Sequence, residues 1–127
     1  MKLVGIVIGI LLAAGPSWAA DLKATLKKAE AGEAASQYHL AERFAEADGV
    51  DQDYQAALKW ARQAADQGNA KAQYRMASIL FLGVTGEARQ PEALQLFRKS
   101  AEGLEKLAKE GDVDARAKLG ILCARGI

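Results

Sequence analysis

The side chains that bear on chemistry are few: His39, Cys123, and two carboxylate pairs, Glu42 with Glu46 and Asp51 with Asp53. An imidazole can carry protons near neutral pH, a thiolate is a nucleophile, and paired carboxylates can divide acid and base roles. His39 is the sole histidine, with no cysteine near it in sequence, and a lone imidazole makes a poor metal site. Cys123 has no activating base beside it, and no Gly-x-Ser-x-Gly, His-Glu-x-x-His or phosphate-loop spacing occurs. Glu42 and Glu46 are one helical turn apart and fit a solvated helix face, whereas Asp51 and Asp53 fit a helix cap. The expectation is a protein that is not an enzyme and carries no catalytic residue, metal or cofactor.

The elements around these residues repeat. Gly32, Ala34, Gln37, Tyr38, Leu40, Ala41 and Phe44 are answered 36 positions later by Gly68, Ala70, Gln73, Tyr74, Met76, Ala77 and Leu80. A third, weaker copy starts at Gly111 with Ala117, Leu119, Gly120 and Cys123. The spacing 34, 38, 41, with 37, 40, 44 beside it, is one stripe of a helix, here called helix A. Glycine turns follow at 47–50 and 83–86, and a second helix, B, opens at Asp53 in one copy and Pro91 in the other. Helix B carries Tyr54, Ala57, Leu58, Trp60, Ala61, Ala64 and Ala65, then Ala93, Leu94, Leu96, Phe97 and Ala101. Its alanines let neighbouring helices approach closely while the aromatic rings fill the remaining space.

A period of this size marks an array of helical hairpins, each burying its apolar face only when the next stacks on it. The expected architecture is an all-α, right-handed superhelical solenoid. It divides into a half unit at 22–31, repeat one at 32–67, repeat two at 68–110 and a partial repeat three at 111–127. The step from Gly68 to Gly111 is 43 residues rather than 36, which predicts an extended helix B. Cys123 falls four residues after Leu119, so a buried, inert thiol is expected, with an exposed one able to link two chains as the alternative.

The best copy reads Gly32-x-Ala34, Gln37-Tyr38-x-Leu40, Phe44, Gly49-Val50-x-Gln52-Asp53-Tyr54, Ala57-Leu58-x-Trp60, Ala64-Ala65-x-Gln67-Gly68. This pattern resembles the Sel1-like repeat family, a subclass of tetratricopeptide-like arrays, and in its leader the exported bacterial type. The second copy departs from it with Arg89-Gln90-Pro91 in place of the Asp-Tyr pair, and less regular packing is expected there. The resemblance implies an adaptor or scaffold that holds a partner protein on a curved surface.

Residues 1–19 read as a signal peptide: one lysine, an uncharged apolar run from Leu3 to Ala14, a Gly15-Pro16 break and small residues before a cut after Ala19. A periplasmic or secreted protein follows, the domain proper being 20–127. Removing Lys2 leaves sixteen basic and sixteen acidic residues, a balance unsuited to nucleic acid. Membrane attachment is expected only through an uncleaved leader. Two rival readings stay open: a small periplasmic hydrolase or thiol protein using Cys123 or His39, and a membrane-anchored structural envelope protein.

In stacked hairpins the A helices line the concave side, so A-helix positions outside the packing stripe form the expected partner surface. These are His39, Glu42 and Arg43, then Arg75, Ser78, Ile79 and Leu82, then Lys118, Ile121, Leu122 and Arg125. Ile79, Leu82, Ile121 and Leu122 would form an apolar patch if exposed. The partner is expected to be a protein of unspecified identity, with self-association at the C-terminal end as a further expectation, because a B helix after Gly126-Ile127 is missing from the pattern.

Overall fold

The structure, a computed structural model, describes residues 17–86 and 89–127. Among these residues there are six α-helices and no strand: α1 (Ser17–Glu30), α2 (Ala34–Glu46), α3 (Tyr54–Asp66), α4 (Ala70–Leu82), α5 (Gln90–Lys109) and α6 (Val113–Ala124). Most of the expected leader, residues 1–16, lies outside the described residues, and Ser17 to Ala19 form the first turn of α1. No helix among the described residues is long and apolar enough to cross a membrane.

Each unit begins at a combined stop and start signal. At Gly68 the backbone takes φ +88°, which an L side chain rarely adopts, although a Cβ there would meet nothing within 4 Å. Conformation rather than space therefore requires the glycine. The turn lets Gly68 N–H donate to Ala65 and Asn69 N–H to Ala64, closing α3. The Asn69 side chain then accepts from Ala72 N–H and opens α4. Gly111 and Asp112 do the same between α5 and α6, where Asp112 accepts from Ala115 N–H. Within a unit, Asp53 N–H donates to the Phe44 carbonyl and Arg89 N–H to that of Leu80, 36 residues apart in sequence. Asp53 caps α3 through Ala56 N–H, and Pro91 sits in the first turn of α5, as expected.

The described helices form an all-α solenoid. Every helix packs on its sequence neighbours; in addition α2 touches α4 and α4 touches α6, whereas α1, α3 and α5 do not touch one another. The A helices α2, α4 and α6 therefore form the tighter, inner row. The core follows the repeat, with Tyr38, Leu40, Ala41, Trp60, Ala61, Ala64, Ala72, Met76, Ala77, Leu80, Ala93, Phe97 and Leu104 buried. The recurrent Gln37 is explained by polar satisfaction: it donates to the Ala29 carbonyl of α1 and accepts from Gln67, tying three helices at one buried point. α5 is 20 residues long against 13 for α3, which is where the longer step goes.

One expectation about α6 is corrected. Cys123 is exposed, not buried. Its counterpart Leu80 is 2% exposed on a helix packed between α3 and α5, but no helix follows α6 among the described residues. α6 is consequently covered on one side alone, and its buried residues are Ala115, Lys118 and Leu122, while Ala117 and Gly120 face outward.

Candidate interaction surface

The inner row is cross-braced by charge. Glu42 of α2 accepts from both Nε and Nη2 of Arg75 on α4, the second bond at 3.1 Å, and Glu46 lies 3.4 Å from the same guanidinium. Burial alone would lower the Arg75 pKa, but the bond to Glu42 outweighs it and the guanidinium is held more firmly protonated. Lys71 of α4 pairs with Asp112 at 2.9 Å and lies 3.7 Å from Asp114 of α6. Lys118 of α6 pairs with Asp114 at 2.6 Å, and its ammonium stands 5.7 Å from the Tyr38 ring and 5.5 Å from that of Tyr74. The Tyr38 hydroxyl donates to Asp114 at 2.9 Å; burial first, then Glu42 and Asp114, push its pKa up.

Every carboxylate in this cluster has a cation. Burial raises the Asp114 pKa, but hydrogen bonds from Lys118 and Tyr38 outweigh that and lower it overall. Asp112 is lowered first by the Ala115 N–H and then by Lys71. Glu42–Arg75 joins α2 to α4 and Lys71–Asp112 joins α4 to the start of α6, so these half-buried pairs fix the spacing of the inner row.

The positions expected to meet a partner separate into three sets. His39 is exposed, stacks at 5.6 Å on Tyr38, and borders a polar hollow with Asp21, Arg43 and Asp48 between α1 and α2. Glu42, Arg43 and Arg75 are half-buried and already paired, Arg43 with Asp21. Ser78, Leu82, Ile121 and Arg125 are accessible, with Leu82 67% and Ile121 45% exposed.

Three positions leave the set. Ile79 is 1% exposed because Ala45 and Ala57 leave room for it between α2 and α3. Leu122 is 2% exposed in the main core, and Lys118 is 7% exposed between its two tyrosines. The expected apolar patch is thus reduced to Leu82 and Ile121. They flank a cleft of about 100 Å³ between the C-terminal ends of α4 and α6, floored by Phe81 and Phe97 and bordered by Tyr74 and Arg125. Phe81 was not expected there; its neighbour at the matching place in α2 is Ala45, and replacing a methyl by a ring one repeat later is the signal in the sequence.

Among the described residues no group of three or more histidine, cysteine, aspartate or glutamate side chains is placed to hold a metal. His39 lies on α2 and Cys123 on α6, on faces that do not converge in any of the clefts described above.

Comparison with known proteins agrees with this geometry. Residues 34–69 and 70–103 each match the family model of the Sel1 repeat, and the matches start at the first residues of α2 and α4. The chain belongs to the Sel1 repeat family. Protein sel-1 homolog 2 of Rattus norvegicus and of Homo sapiens are each 42% identical to it over 65 residues, 51% of this chain. The chain spans only 8% of the length of these relatives. Among solved structures, a protective antigen of uropathogenic Escherichia coli displaying an SLR fold superposes with TM-score 0.63 at 30% identity, covering 82% of this chain and 29% of the antigen. A Sel1 repeat protein from Oxalobacter formigenes superposes with TM-score 0.62 at 25% identity, covering 84% of this chain and 39% of its own.

Proposed function

We propose that this Sel1 repeat chain is an exported protein-interaction module, an adaptor or scaffold that receives a partner protein on the inner row of α2, α4 and α6. Sel1 repeats generally mediate protein–protein contacts and are typically scaffolds without enzymatic activity, which supports the reading at the level of the family. The observation that carries it to a surface is the pair Leu82 and Ile121, two large apolar side chains exposed on either side of a cleft on the same face as the ion-pair network. Export rests on residues 1–19, whose lysine, apolar run and small residues before Ala20 have the composition of a cleavable leader. A periplasmic or secreted location follows from that reading, and the N-terminal residue of the protein recovered from cells tests it. A second copy of the chain is the alternative partner.

The test is affinity capture from envelope extract with the chain from Ala20, compared with a Leu82→Asp/Ile121→Asp variant and with Arg98→Glu on the outer row. A partner retained by the parent and by Arg98→Glu but lost by the folded double variant supports the inner face. Equal capture by all three places the contact elsewhere and contradicts the proposal.

A further inference from the structure

Charge pairing on the inner row points to the chemistry of what the cleft takes, an inference that rests on the interaction reading above. Arg43 has Asp21, Lys71 has Asp112 and Asp114, Arg75 has Glu42 and Glu46, and Lys118 has Asp114 with Glu42 beyond it. Arg116 of α6 bonds only a backbone carbonyl, that of Ala108, and does not line the cleft; the cation without a carboxylate at the cleft is Arg125. It is exposed, it borders the apolar cleft, and no carboxylate pairs with it among the described residues. Its position at the end of α6 suits the helix dipole, which accounts for a cation there but not for its lying over the cleft. Its charge reaches the cleft wall: burial raises the Tyr74 pKa, and Arg125 is the strongest of the groups opposing that rise.

The cleft itself is too small for a drug-sized ligand, since such sites enclose about 300–1,000 Å³, whereas this one encloses about 100 Å³. That volume suits the anchoring side chain of a peptide. Apart from Arg125, its lining is apolar or uncharged, from Phe81 and Phe97 at the floor to Leu82, Ile121 and Ser78 at the rim. Ile127 also lines it, and none of the lining side chains is acidic, so a basic side chain entering it meets Arg125 with no side-chain carboxylate to offset it.

We infer that the cleft between α4 and α6 binds a peptide segment of a partner protein in which an apolar anchoring side chain is followed within a few residues by a carboxylate that pairs with Arg125. The apolar side chain fills the space between Leu82 and Ile121, and the carboxylate pairs with Arg125. Specificity arises because an apolar–basic segment would place two cations together.

The probe is a phage-displayed library of random dodecapeptides, panned in parallel on the full chain and on Arg125→Glu and Leu82→Asp variants whose helicity matches the parent. The parent is expected to enrich an apolar residue with Asp or Glu within three positions, and Arg125→Glu to enrich an apolar residue with Lys or Arg instead. A synthetic peptide of the parental motif should bind Leu82→Asp at least about tenfold more weakly. An unchanged motif on Arg125→Glu and undiminished binding to Leu82→Asp would overturn the assignment of this cleft while leaving the inner face as an interaction surface. A basic motif on the parent, or no enrichment on a folded parent, would overturn it too. The envelope-capture comparison, which also reports folded partners, decides the broader reading separately.

Discussion

Two glycines inside helices should respond to alanine in opposite ways. Alanine within a helix is ordinarily better than glycine by about 0.5–1 kcal/mol, because glycine loses more backbone freedom on folding. At Gly120, in α6, an added Cβ meets nothing within 4 Å, so Gly120→Ala should stabilise by about that amount. At Gly103, in α5, the same Cβ would lie 2.6 Å from the Cβ of Ala70, where ordinary contact begins at 3.4 Å. Ala70 cannot swing aside: it is 6% exposed in the first turn of α4, directly after the Asn69 cap. The two helices must separate by most of an ångström, and overpacking of that kind costs about 1–3 kcal/mol. The clash outweighs the propensity gain, leaving Gly103→Ala destabilised by about 1 kcal/mol and about 2 kcal/mol below Gly120→Ala. Thermal unfolding followed by circular dichroism should place their Tm values roughly 8 °C or more apart. Finding Gly103→Ala as stable as Gly120→Ala would refute the close approach of α4 and α5.

Leu82→Asp should change stability by no more than about 0.5 kcal/mol, whereas Ile79→Asp, three residues earlier, should cost about 3 kcal/mol or more by burying an unpaired carboxylate; urea unfolding separates them, and equal effects would contradict the burial of Ile79. Asp112 and Asp114 have folded pKa values below their unfolded ones, so their ionised forms support the fold. Their contribution is full above the unfolded carboxylate value near pH 4 and is lost as pH falls through the folded values. Asp114→Asn should therefore be destabilised at pH 7 yet lose less stability on acidification than the parent, and a parallel acid limb would show that the α4–α6 pairs add nothing. Asp53→Ala should lower stability by about 1 kcal/mol through loss of the α3 cap, measured by urea unfolding, and an unchanged midpoint would contradict the capping bond to Ala56 N–H.

The sequence made the units legible because helix, turn and cap each left a local mark. The stripe at 34, 37, 38, 40, 41 and 44 needs only the helical period to be seen, and the glycines at 32, 68 and 111 mark backbone that other residues resist. Exposure of the A-helix row was harder to read, because it depends on what lies across the groove. Ile79 is buried because its neighbours are Ala45 and Ala57, and Leu82 is exposed although one turn away on the same helix. Lys118 looked like a surface cation, and only the approach of α2 and α4 reveals the two tyrosine rings and two carboxylates around it. Cys123 followed the core register of its counterparts, but register predicts burial only when a helix lies on both sides. The cleft depends on Phe81, whose matching position in the first repeat is Ala45, so the repeat pattern does not mark it.

The most direct test of the inner face as the partner surface is site-specific photocrosslinking in cells. A photoreactive phenylalanine analogue would replace Ile121 in one strain and Arg98, on the outer row, in another. A discrete adduct from position 121 that is absent from position 98 is the result predicted. Adducts from position 98 with none from position 121 would contradict the account.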